Sequence, residues 1–126
     1  MIVLDTSVLI DALSGTRRSA PALRQAIANG ERLFLPSLVL YEWLRGPRVP
    51  EELHAQEALF PAAAALPFGP AEAARAAQLY VRLRRARGRE VDLAIAASAL
   101  TRGASLWTLN PRDFGDIEGL TVFRTV

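Results

Sequence analysis

The chain has 126 residues, 51% of them apolar and 22% charged, a length that suits one compact domain spanning residues 1–126. It has no cysteine, its 15 basic residues are all arginine, and His54 is its only histidine. That excludes a disulfide scaffold, thiolate or multi-histidine metal sites, cysteine nucleophiles and every lysine-based chemistry, so catalysis here must rest on carboxylates, hydroxyls and arginines.

Ile2-Val3-Leu4 is a short apolar run without alternation, as expected for a strand buried on both faces. Asp5-Thr6-Ser7 supplies N-cap chemistry for a helix that starts near Val8 and stops near Gly15. A second helix is predicted from Ser19 to Ala28, with Pro21 in its first turn and Asn29-Gly30 as its stop. Leu33-Phe34-Leu35 reads as a strand closed by Pro36, and Ser37 as the cap of a helix running to Arg45. Beyond the Pro47–Pro50 connector, Glu51 to Ala65 is mostly helical with a break at Pro61, and Leu66-Pro67-Phe68 reads as a short strand. A long helix is predicted from Pro70 to Arg87, ended by Gly88, and another from Val91 to Thr101. Ser105 to Leu109 and Leu120 to Phe123 are the last strands, separated by the turn at Asn110-Pro111. Strands alternating with helices imply an α/β fold with a parallel sheet covered on both faces.

The net charge of +2 is unevenly distributed. Residues 75–89 hold six arginines (75, 82, 84, 85, 87 and 89) and no acid, so the rest of the chain sums to −4. Such a stripe fits a phosphate-bearing partner, and it equally fits a solvated helix face. No stretch is apolar enough to span a membrane, and Met1 to Leu4 runs into Asp5 without a signal-peptide pattern, so a cytoplasmic, membrane-free protein is expected.

Three acids stand in apolar surroundings. Asp5 directly follows a buried strand, Glu42 lies in Leu38-Val39-Leu40-Tyr41-Glu42-Trp43-Leu44, and Asp92 precedes Leu93-Ala94-Ile95-Ala96-Ala97. A helix apolar on every side is buried, and a lone carboxylate there is costly unless paired or bound to a metal. Taken singly, Asp5 and Asp92 can be helix caps, and Glu42 can pair with Arg45. Together they suggest convergence, and the carboxyl ends of parallel strands are where α/β sites form. An oxygen-only set suits Mg²⁺ or Mn²⁺, and a cation-screened acidic pocket suits phosphodiester hydrolysis.

Asp5-Thr6-Ser7-Val8-Leu9-Ile10-Asp11 resembles the opening motif of the PIN-domain ribonucleases. Glu42-Trp43-Leu44-Arg45-Gly46, Asp92 to Ala99 and Leu109 to Phe114 are similar to the three motifs that follow, in order across nearly the whole chain. The similarity is strongest to VapC-type toxins of toxin–antitoxin pairs. It implies a three-layer α/β/α fold with a central, mainly parallel sheet of about four to five strands. It also implies an Mg²⁺- or Mn²⁺-dependent endoribonuclease that leaves a 3′-hydroxyl and a 5′-phosphate. Asp5 and Asp92 would hold the metal, with Glu42 as a further ligand or as the group orienting the attacking water. Thr6, Ser7 and Thr108 would hydrogen-bond the site, and Arg82, Arg84, Arg85, Arg87 and Arg89 would bind RNA along with Thr6 and Ser7. The family's fourth acidic position falls on Asn110, and either Asn110 or Asp113 fills it. Further implied partners are a cognate antitoxin that blocks the pocket and a second copy of the chain, with Trp43, Leu44 and Phe60 as candidate contacts.

Two other functions compete. A PIN-like module that binds RNA or a protein without cutting is favoured by the neutral Asn110. A phosphatase or receiver domain with Asp5 as nucleophile is disfavoured, because no lysine is present and Ser7 stands where the phosphatases need a second aspartate.

Overall fold

A computed structural model describes residues 1–125. Three parallel strands, β1 (Ile2–Leu4), β2 (Leu33–Phe34) and β3 (Ser105–Trp107), form a sheet in the order β2-β1-β3. The central strand is almost fully buried, which is why its sequence shows no polar alternation. Six helices surround the sheet: α1 (Thr6–Leu13), α2 (Ala20–Ala28), α3 (Ser37–Leu44), α4 (Pro50–Leu59), α5 (Pro70–Arg82) and α6 (Glu90–Leu100). Every residue of α6 from Leu93 to Ala99 is buried, so this helix is the inner wall of the core, packed on β1, β3 and α5. Among the described residues no helix is long and apolar enough to cross a membrane.

The two remaining predicted strands are reduced to single parallel bridges. Leu66 pairs beside Pro36, donating its N–H to Leu35 and accepting from Ser37. Pro67 has no N–H to continue that ladder. Val122 bridges Leu106 through bonds from Leu106 to Thr121 and from Phe123 to Leu106.

The predicted helix from 70 to 87 stops at Arg82. Leu79, Leu83 and Ala86 have helical spacing, but Leu83 is extended and the chain reverses at Gly88, whose φ of +84° is costly for any residue with a Cβ. Tertiary bonds from Arg89 hold the 83–88 loop in place. Arg84, Arg85 and Arg87 therefore lie in a loop and not on a helical stripe. Likewise α3 is not buried all round. Val39 and Trp43 face the core, whereas Tyr41 and Leu44 are 57% and 51% exposed. Of the candidate dimer contacts, Trp43 and Phe60 are core residues and Leu44 lies on the surface. Gly46 leaves room for the Arg48 guanidinium, which folds back over the Trp43 ring at 4.1 Å and would stand 2.7 Å from a Cβ at position 46.

Candidate active site

Asp5 leaves the carboxyl end of β1 and stands at the N-cap of α1, yet its side chain makes no cap bond to that helix. It is only 5% exposed, and its Oδ2 instead accepts from the Thr108 hydroxyl at 2.7 Å and the Ser7 hydroxyl at 2.9 Å. Each hydroxyl accepts in turn from a backbone N–H of the loop after β3: Thr108 from Asn110 at 3.0 Å, Ser7 from Leu109 at 3.1 Å. With their lone pairs so engaged, both hydroxyl protons point at one oxygen of Asp5. Two charge-assisted bonds compensate the burial of this carboxylate and leave Oδ1 for another partner.

Glu42 enters from α3. Its Oε1 accepts from the Thr6 hydroxyl at 2.5 Å, which fastens α3 to the first residue of α1. Its Oε2 faces Arg45 at 3.4 Å, a loose i,i+3 pair whose guanidinium also lies over the Tyr41 ring at 5.3 Å. Arg45 is largely solvent-exposed, so this pair is weak.

Asp92 lies in the first turn of α6, whose N-cap is Arg89. Burial pushes its pKa above the ordinary aspartate value, and the charges of Asp5, Asp113 and Glu42 push it further, with Arg89 opposing them. Asp5 after β1, Glu42 on α3 and Asp113 after β3 are thus all near enough to act on Asp92 at the start of α6. Asp113 reaches it from a 3₁₀ turn, Pro111–Phe114, that is anchored by the buried Phe114. Asn110 is solvent-exposed just before that turn, and its backbone supports Thr108.

The donors are carboxylate oxygens without histidine or cysteine, the set that hard divalent cations prefer. The mutual repulsion at Asp92 is what a cation would relieve, so the residues fit such an ion in chemistry and charge. Among the described residues no three acids already stand together as a closed ion cage. The site is therefore an open-sided cluster in which solvent or substrate would complete the coordination.

The arginines divide. Arg82, Arg84 and Arg85 line an open groove of about 540 Å³ together with Leu83 and Asp116. Arg87 is exposed in the same loop. Arg89 is turned inward and bonded to Asp116. Asp116 is a residue the sequence reading missed: it sits in a polar turn 27 positions from its partner, and no local pattern reveals such a pairing.

Residues 2–120 match the family model described as "PIN domain". Over 117 residues the chain is 36% identical to Ribonuclease VapC19 of Mycobacterium tuberculosis, covering 90% of this chain and 92% of that protein. Its fold is similar to that in the DNA-bound VapBC structure from Salmonella typhimurium, with a TM-score of 0.80, 24% identity and coverage of 97% and 96%. It is also similar to the FitAcB structure from Neisseria gonorrhoeae, with a TM-score of 0.72, 25% identity and coverage of 98% and 97%. With a family model matched over nearly its whole length and a relative of this identity, the chain belongs to the PIN domain family.

Proposed function

We propose that the protein is a divalent-metal-dependent endoribonuclease, the toxin of a toxin–antitoxin pair, acting as a single domain in the cytoplasm. The observation that carries this reading is the 36% identity to a named ribonuclease across 90% of the chain; the action of Asp5, Asp113 and Glu42 on Asp92 supports it. Asp5 and Asp92 would hold Mg²⁺ or Mn²⁺, with Glu42 as a further ligand or as the acceptor that orients the attacking water. When bound, the cation would supply positive charge against the scissile phosphate and lower the pKa of water. Asp5 is suited to holding it because Oδ2 is locked by two hydroxyls, which fixes the direction of Oδ1. Glu42 is held by Thr6 and is free to turn its second oxygen outward once the loose Arg45 contact is released. Asp113 supplies the fourth negative charge where Asn110 has none. The groove at Arg82, Arg84 and Arg85 offers guanidinium groups to the phosphates of a bound strand. The antitoxin partner and a homodimer are carried over from the family, several of whose structures are toxin–antitoxin complexes.

Purified protein, freed of any partner, is expected to cleave RNA with Mg²⁺ or Mn²⁺, and Asp5→Asn and Asp92→Asn are each expected to abolish cleavage. Cleavage unchanged in both variants would overturn the proposal. A second reading, a PIN module that binds RNA or a protein without cleavage, is favoured by the neutral Asn110. Retained RNA binding with neither cleavage nor calorimetric Mn²⁺ binding would select it.

A further inference from the structure

The guanidinium of Arg89 carries out a task that its place in an arginine-rich run does not suggest. An arginine has five N–H donors in a rigid fork. Here Nη1 donates to Asp116 Oδ2 at 2.8 Å and to the Arg85 carbonyl at 3.0 Å. Nη2 donates to Asp116 Oδ1 at 2.8 Å and to the Asp113 carbonyl at 2.7 Å. All four hydrogens on the two terminal nitrogens are spent on the protein, and the pairing with Asp116 is bidentate. Little donor capacity is left for a phosphate.

These bonds join the start of α6 to the segment 113–116 and hold the 83–88 loop on the same guanidinium. Arg89 is the N-cap of α6, three residues before Asp92. The Asp113 carbonyl belongs to the residue whose side chain also acts on Asp92. Asp116 follows one residue before Ile117, which is buried, as is Phe114, so its segment is pinned to the core at two points. The Arg85 carbonyl closes the 83–88 loop onto the same guanidinium. Among the described residues, no other hydrogen bond joins the start of α6 to residues 109–117. Phe114 and Ile117 fix that segment to the core, and the Arg89–Asp116 pair is the polar bond that ties it to the start of α6 beside Asp92.

We propose that Arg89 is a positioning residue, locked with Asp116 into a strut that sets the spacing of Asp92 and Asp113, and that it is not an RNA contact. The proposal rests on the ribonuclease reading for its catalytic consequence alone. It separates Arg89 from Arg82, Arg84 and Arg85, which remain open to a strand.

The test uses the full chain with Arg89→Gln, Arg89→Lys, Asp116→Asn and Arg84→Gln, each checked for folding by thermal denaturation. Asp116→Asn is nearly isosteric at a half-exposed side chain and preserves the fold even if Arg89→Gln does not. Steady-state cleavage of a fluorescent RNA oligonucleotide gives kcat and KM separately. RNA affinity is measured by anisotropy in an Asp5→Asn background at several salt concentrations, and Mn²⁺ affinity by calorimetry. Arg89→Gln and Asp116→Asn are each expected to lower kcat about 10- to 100-fold, the effect usual for residues that orient metal ligands, with KM within twofold. Their double variant is expected to be no worse than either single, since both break one strut. Arg89→Lys, which keeps the charge but cannot form the fork, falls between. Arg84→Gln is expected to raise KM instead and to reduce the salt slope of binding by about 0.7.

A raised KM and reduced salt slope in Arg89→Gln would overturn the proposal. So would tighter RNA binding in Asp116→Asn, because removing the acid would then have released an RNA contact. If the unaltered protein cleaves no RNA, the ribonuclease reading fails by itself. The strut is then judged by Mn²⁺ binding, weakened in both Arg89→Gln and Asp116→Asn if it stands and unchanged in both if it does not.

Discussion

Replacing Thr108 by Val tests the lock on Asp5 with almost no change of volume. The hydroxyl is buried, donates to Asp5 Oδ2 at 2.7 Å and accepts from the Asn110 N–H at 3.0 Å. A hydrogen bond to a charged group contributes about 1.5–3 kcal/mol. The Asn110 N–H lies beside an exposed residue, so water can replace its lost acceptor, whereas Asp5 keeps only Ser7. The added methyl group recovers part of the loss through apolar burial, leaving a net destabilisation of about 1–2 kcal/mol. For a chain of 126 residues that corresponds to a Tm lowered by about 4–8 °C. With one donor gone, Oδ1 is no longer fixed in direction, and cleavage is expected to fall about 10- to 100-fold. Differential scanning calorimetry and a quenched-fluorophore RNA assay read the two effects on one preparation. Ser7→Ala should behave similarly, and the double variant should cost more than the two singles combined, because Asp5 is then buried with no donor. Turnover and Tm at wild-type levels in Thr108→Val would refute the argument that two hydroxyls orient Asp5.

Asp92→Asn is expected to stabilise the metal-free protein at neutral pH. Burial and the charges of Asp5, Asp113 and Glu42 raise the native pKa of Asp92, so its contribution to stability is present at acid pH and lost as pH rises through that pKa. The Tm advantage of Asp92→Asn should open across that rise and vanish below the usual aspartate range; an advantage independent of pH would contradict it. Adding Mn²⁺ at about a hundredfold excess over its Kd should stabilise the unaltered protein by about 2.7 kcal/mol, and thermal shift assays should find that gain missing in Asp5→Asn.

What was legible in the sequence was what local chemistry determines. Ile2-Val3-Leu4 had to be a buried strand, Leu93 to Ala99 a buried helix, and an acid at the mouth of each had to find a use. The places where reading fails are those decided by long-range bonds. The spacing of Leu79, Leu83 and Ala86 favours a helix to Arg87, but Gly88 and the fork of Arg89 redirect the chain after Arg82. A run of arginines looks uniform in sequence, yet Arg89 is committed 27 residues away to Asp116 while Arg84 and Arg85 stay open. Glu42 lies among apolar neighbours, but Tyr41 and Leu44 turn to solvent, so its surroundings are half wet. Thr6 finds it only because α1 and α3 pack side by side.

Asn110 has a physical role in the same network. Its established contribution is a main-chain N–H that holds Thr108 and thereby aims the Thr108 proton at Asp5. Any residue other than proline supplies that donor, so exchanging an acid for an amide leaves the lock untouched. A negative charge is supplied from the same loop by Asp113, on a 3₁₀ turn braced by Phe114 and close enough to act on Asp92. Asp5, Asp113 and Glu42 already push Asp92 toward its protonated form. Arg89 opposes that crowding in part, and a bound cation would relieve more of it, so the pH dependence of the Asp92→Asn advantage should weaken when Mn²⁺ is added.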